Sequence, residues 1–156
     1  SRIIAIDMLD SKLALAKDFG ATDVVNASET NAVEAVMEMT GGGVHYSFEA
    51  IGLKSAAEQA FQMLRRGGTA TVIGMIPPPQ TVDLLGADFL QEKCIRGSSM
   101  GSNHFRVDMP RYVEFYLQGR LHLDELISQR IGLEQINEAF DLLETGEVAR
   151  SVIVFD

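Results

Sequence analysis

The chain has 156 residues, 46% of them hydrophobic, which is enough for one sizeable core, and 22 acidic against 13 basic side chains give it a net charge of −9. That balance, with no basic run, argues against nucleic-acid binding by phosphate neutralisation. No apolar segment approaches the roughly 18 to 20 residues of a membrane span, no signal-peptide pattern opens the chain, and the one cysteine, Cys94, fits a reducing cytoplasm.

Apolar strand-like runs alternate with helical patterns along the whole length, the signature of βαβ units and a mostly parallel sheet. The first run, Ser1 to Asp7, reads as a buried strand that stops at a carboxylate and leads into a helix from Ser11 to Asp18. In open α/β sheets ligands sit outside the carboxyl ends of the strands, and an acid ending the second strand of a nucleotide-binding unit accepts hydrogen bonds from a ribose diol. Asp7 is therefore the leading candidate for a ribose anchor. The plainer reading, an Asp that begins a turn, is weakened because Asp10 already sits where the helix wants its N-cap.

Leu9, Leu13, Ala16 and Lys17 share a helical face that ends at Phe19-Gly20. Asp23 to Asn26 is a short second strand, and Thr30 or Asn31 caps a helix that turns Val33, Val36, Met37 and Thr40 inward. Gly41-Gly42-Gly43 follows a helix and precedes a strand, the reverse of a phosphate cradle's order, and is expected to be a turn. Val44 to Phe48 is the next strand, with Glu49 to Gly52 turning off its carboxyl end. Ser55 is expected to cap a helix burying Ala57, Ala60, Phe61 and Leu64, with Arg65-Arg66 at its negative end. Thr69 to Ile73 is a further strand, which Gly74, Met75 and Pro77-Pro78-Pro79 terminate because proline cannot donate to a ladder. Val82 to Leu84 suggests a short strand, Ala87 to Gln91 a helical turn, and Lys93 to Ser98 a strand in which Cys94 alternates as a core residue would. Pro110 suits the first turn of a helix to Leu117. Leu126 to Ile131 reads as extended, Leu133 to Glu144 as a helix burying Ile136, Ala139, Phe140 and Leu143, and Ser151 to Phe155 as the last strand.

His45, His104 and His122 stand singly, with no partner at zinc-ligand spacing, and no serine follows the nucleophile-elbow pattern. No catalytic or metal-binding residue is assigned. A G-x-G-x-x-G fingerprint belongs about 20 residues before the ribose-binding acid, and Asp7 leaves no room for one. The chain opens on Ser1 rather than Met, so sequence is expected upstream.

Asp7 with Lys12, Phe19-Gly20-Ala21-Thr22, Phe48-Glu49-Ala50-Ile51-Gly52, Arg66-Gly67-Gly68, Val72-Ile73-Gly74, and Ile136 to Leu143 before Gly146 and Arg150 together resemble the cofactor domain of the zinc-dependent medium-chain alcohol dehydrogenases. The resemblance covers essentially the whole chain and rests on the ordered succession of motifs that are individually weak. It implies a Rossmann-type, doubly wound, mostly parallel α/β sheet lacking its first βα unit. Residues 1–156 would then be one NAD-binding domain, incomplete at its N-terminus, with the catalytic zinc domain absent. The implied activity is hydride transfer between an alcohol or aldehyde and NAD, with zinc bound outside this chain, and the chain alone is expected to be inactive. Asp7 would anchor the adenosine ribose with Lys12 as companion, and Met8 and Ile51 would flank the adenine. Ile73, Ser98 and Met100 would hold the nicotinamide carboxamide through backbone groups beside Gly74 and Met75, and Arg150 would bind the pyrophosphate. The strand from Lys93 to Ser98 would help join two subunits of a homodimer or a dimer of dimers, in the cytoplasm.

The residues support part of this independently. An acid at the ribose repels an added 2′-phosphate, since two unit charges at roughly 4 Å under an effective dielectric near 20 interact by about 4 kcal/mol, so NAD is preferred to NADP. Arg150 offers a fork suited to a phosphate, although a surface arginine before an edge strand accounts for it equally well. Three rivals stay open: a zinc-free quinone or enone reductase built on the same domain, a nucleotide-sensing module with no chemistry, and a methyltransferase, in which an acid after the second strand also holds ribose.

Overall fold

The computed structural model describes residues 1–146 and 148–155, and the chain divides into two compact units, Ser1–Asn103 and the segment from His104 onward.

In the first unit, β1 (Ile4–Asp7) leads into α1 (Asp10–Asp18) and then β2 (Asp23–Asn26), which lies parallel to β1 with Asp7 opposite Asn26. The entry to β2 is pinned from outside: the Arg2 guanidinium donates through Nε and Nη2 to the two Asp23 oxygens, each at 2.7 Å, and through Nη1 to the Met39 carbonyl. α2 (Ala32–Thr40) starts at Asn31, whose side chain accepts from the amides of Val33 and Glu34, and ends at Gly41, where φ of +64° closes the C-terminus in the left-handed region. Ala32 and Val36 of α2 are buried against Val25 and Met63, while Glu34 and Glu38 face water.

β3 (Val44–Glu49), β4 (Leu64–Val72) and β5 (Cys94–Gly97) form a second parallel sheet in the order β3-β4-β5. α3 (Lys54–Gln62) crosses over from β3 to β4 and buries Ala57, Ala60 and Phe61. The helix stops sooner than its apolar spacing suggests. Leu64 already pairs with Val44 in β4, so Arg65 and Arg66 lie on a strand, not at a helix end, and the register jumps to Tyr46 opposite Thr69. The expected cap Ser55 falls inside the first turn, and the N-cap is Leu53. Val82 to Leu84 forms no strand, and Cys94 is exposed rather than in the core.

Among the described residues β1 is paired only with β2 and β3 only with β4, so no ladder joins the two sheets of this unit. Tyr46 and Phe48, on one face of β3, are 69% and 67% exposed.

In the second unit α4 runs from Phe105 to Leu117 with Pro110 inside it rather than in its first turn. The start moves upstream because the Asp108 carboxylate accepts from the His104 amide at 2.7 Å, tying the entry residue to the first turn. β6 (Gln129–Ile131) lies parallel to β7 (Ser151–Ile153), and between them a 3-10 turn, Leu133–Gln135, precedes α5 (Ile136–Glu144). Ala139 is buried, whereas Phe140 and Leu143, expected inside, are exposed. No helix among the described residues is long and apolar enough to cross a membrane.

Candidate functional site

Apart from Lys12, which lies in α1, and Arg150, the candidate residues lie at or just beyond the carboxyl ends of parallel strands, where backbone groups are not consumed by the ladder. Asp7 ends β1. Its Oδ1 accepts from the amides of Met8 at 2.7 Å and Leu9 at 3.0 Å, which fixes the turn into α1. Asp10 does not cap that helix: the N-cap is Leu9, and Asp10 instead accepts from the Asn26 side chain at 2.8 Å. Asp7 thus begins a turn, as the plainer reading had it, yet one of its oxygens remains over. Among the described residues Oδ2 accepts nothing, so it stands available to a diol. Lys12, one turn into α1, is half-buried, and Met8 is 65% exposed.

The ends of β3 and β4 are joined more tightly than either motif suggests. The Glu49 carbonyl accepts from the amides of Ile73 at 2.7 Å and Gly74 at 3.2 Å. Its carboxylate Oε1 accepts from Ile51 at 2.7 Å, Gly52 at 2.6 Å and, longer, Leu53 at 3.4 Å. The residue is 2% exposed, and Oε2 is buried with no partner among the described residues. A Cβ on Gly74 would fall 2.1 Å from the Gly52 nitrogen, and one on Gly52, at φ +87°, would fall 2.6 Å from the Met75 carbonyl oxygen. The two loops therefore meet backbone to backbone, which only glycine permits. Ile51 is 70% exposed beside this contact, and Ile73 and Met75 are exposed as well. Glu49 carried no site signal in the sequence beyond its place at a strand end.

Beyond β5, the Ser98 amide donates to the Val72 carbonyl at 2.9 Å, prolonging the ladder, and its hydroxyl lies 3.0 Å from that of Ser102. Met100 is exposed with φ +51°. Arg150, in the second unit, is exposed before β7, and its carbonyl accepts from the Ser128 amide at 2.8 Å. A depression of about 330 Å³ in that unit holds the Tyr116 to Asp124 bond and no candidate residue. Asp124 raises the Tyr116 phenol's pKa above its ordinary value.

Among the described residues no three His, Cys, Asp or Glu side chains come together as metal ligands, so these residues do not fit a zinc ion. A dinucleotide is a different matter. A carboxylate oxygen left over at a strand end, apolar side chains exposed beside strand termini and a glycine-to-glycine loop contact suit a planar, hydroxyl-rich ligand.

The model of the family described as zinc-binding dehydrogenase matches residues 1–118. The chain is 39% identical to alcohol dehydrogenase-like 5 of Arabidopsis thaliana over 97% of its own length and 40% of that protein's. It superposes with a TM-score of 0.95 on benzyl alcohol dehydrogenase from Acinetobacter calcoaceticus, at 31% identity, covering all of this chain and 43% of that one. A zinc-binding domain protein of the alcohol dehydrogenases from Burkholderia ambifaria gives the same TM-score at 33% identity, over 42% of its chain. The chain spans about two fifths of the relatives it matches. On these likenesses, and on the order of its strands and strand-end motifs, the chain belongs to the zinc-binding dehydrogenase family, in its Rossmann-type cofactor-binding part.

Proposed function

We propose that this chain is the cofactor-binding portion of an NAD-dependent alcohol dehydrogenase, transferring hydride between an alcohol or aldehyde and NAD. The observation that supports the reading is the spare Oδ2 of Asp7 at the carboxyl end of β1, the kind of strand end at which open α/β sheets take their ligands. Asp7 and Lys12 would hold the adenosine ribose, and Met8 and Ile51, both exposed apolar side chains, would flank the adenine. Backbone groups of Ile73, Gly74, Met75, Ser98 and Met100 would receive the nicotinamide end, and Arg150 the pyrophosphate. NAD supplies the hydride acceptor when bound; the protein's part is to orient it.

Zinc, on this reading, is held elsewhere in the full-length enzyme, because the ligand set is not met by these residues. A further parallel strand seated between β1 and β3 would join the two sheets, and the unpaired edges of β1 and β3 support it. β5 is an edge strand with Cys94, Arg96 and Gly97 exposed, which supports pairing with a second subunit in a homodimer. A cytoplasmic location is in keeping with the lone cysteine.

The test is turnover by the full-length enzyme, supplied with zinc and NAD, on a panel of primary, secondary and aromatic alcohols, followed by NADH absorbance. Turnover with NAD is the expected result. No turnover in either direction on any alcohol or aldehyde would overturn the reading.

A further inference from the structure

Among the described residues Glu49 is the one buried carboxylate, it ties two strand-end loops together, and no part of the role set out above uses it. Its main-chain oxygen holds Ile73 and Gly74, and its side-chain Oε1 holds Ile51 and Gly52. These are two of the loops that would meet the cofactor at different points. We propose that Glu49 is a positioning residue for the dinucleotide, fixing the Ile51–Gly52 turn against Gly74 so that the adenine-flanking side chain and the Ile73–Met75 backbone keep one spacing. The inference rests on the NAD reading above.

The Gly52 to Gly74 contact brings two backbones within van der Waals distance but includes no hydrogen bond between them, so packing alone would let the turn hinge. Among the described residues the Ile51 and Gly52 amides have no carbonyl acceptor, and Oε1 is what satisfies them. An acceptor oxygen placed at these backbone N–H groups spares them the cost of standing unpaired. Burial of the residue keeps water from replacing it. A turn so held presents Ile51 in one orientation, and a ligand that needs that orientation binds without first ordering the loop.

Three variants of the full-length enzyme separate the possibilities. Glu49→Gln keeps a carbonyl oxygen for the two amides, whereas Glu49→Ala removes it and Glu49→Asp withdraws it by one methylene. NADH affinity is measured by fluorescence titration, and amide exchange of Ile51 and Gly52 is followed in the absence of cofactor. Expected are a rise in the NADH Kd of about tenfold for Glu49→Ala and Glu49→Asp, with faster exchange at both amides and a raised KM for NAD. Glu49→Gln should stay within about threefold of wild type on every readout, and kcat at saturating NAD should change little in any variant. An unchanged NADH Kd in the folded Ala or Asp variant overturns the inference, even if exchange quickens, because the carboxylate then serves stability alone. A Gln variant that fails as badly as Asp also overturns it. Wild-type enzyme that does not bind NADH overturns the NAD reading itself, and the inference with it. If Glu49→Ala does not fold, Glu49→Asp carries the comparison.

Discussion

The contact between Gly52 and Gly74 gives the sharpest mechanical prediction. In Gly74→Ala the new Cβ would sit 2.1 Å from the Gly52 nitrogen, 2.6 Å from its Cα and 2.8 Å from Glu49 Oε2. Against an ordinary contact of 3.4 Å the shortfall is about 1.3 Å, and two of the three obstacles are backbone atoms that cannot rotate aside. Overpacking of this kind costs about 1 to 3 kcal/mol. Opening the loops also strains the Ile51 and Gly52 bonds to Glu49, at about 1 kcal/mol each. A total near 3 to 5 kcal/mol would lower the unfolding midpoint of a domain this size by roughly 6 to 20 °C. The control is Gly86→Ala, where no atom lies within 4 Å of the added Cβ and φ is not in the left-handed region. That variant should differ from wild type by less than about 0.5 kcal/mol. Thermal unfolding of both variants beside wild type decides the matter, and midpoints within 2 °C of each other, on the order of measurement error, would refute the loop-contact argument.

Arg2 and then Thr22 hydrogen-bond the Asp23 carboxylate and hold its pKa down from 3.8 to about 2. A lowered acid stabilises the folded state above its unfolded pKa, so this contribution is present above 3.8 and fades as pH falls toward 2; Arg2→Ala should flatten the loss of stability with acid across that window, and an identical pH profile would contradict the assignment. Asn31→Ala leaves the amides of Val33 and Glu34 without their cap and should cost about 1 kcal/mol in urea unfolding, with no change refuting the capping role.

Much of this molecule is legible in the sequence because its local signals agree with its tertiary ones. Asn31 caps α2, Gly41 closes it, and the apolar run ending at Asp7 becomes a parallel strand with its acid at the carboxyl end. Where reading failed, a pairing, a capping bond or an edge position outweighed the simpler pattern. Arg65-Arg66 looks like a helix end, yet Leu64 gains more from pairing with Val44 and burying against Phe61 and Ala70 than from another helical turn. Pro110 looks like a helix start, yet Asp108 fastens the chain at His104 and begins the helix earlier. Cys94 alternates like a core residue, but on edge strand β5 it is Ile95 that packs against the core, and Cys94 and Arg96, on the alternate positions, are exposed. Glu49 was invisible as a site residue because its meaning depends on two glycines 22 positions apart, Gly52 and Gly74, touching in space. Spacing along one strand cannot disclose that.

The most direct measurement is a paired titration of the full-length enzyme and its Asp7→Ser variant with NADH and NADPH. Wild type should bind NADH far more tightly than NADPH, because a 2′-phosphate would be brought against the Asp7 carboxylate; the half-exposed setting of Asp7 reduces the repulsion below the roughly 4 kcal/mol of an unscreened close pair. The variant should lose NADH affinity by about tenfold, as for one charge-assisted hydrogen bond, and narrow the gap between the two cofactors. Dissociation constants for both cofactors that do not move with Asp7→Ser would contradict the ribose assignment on which the account stands.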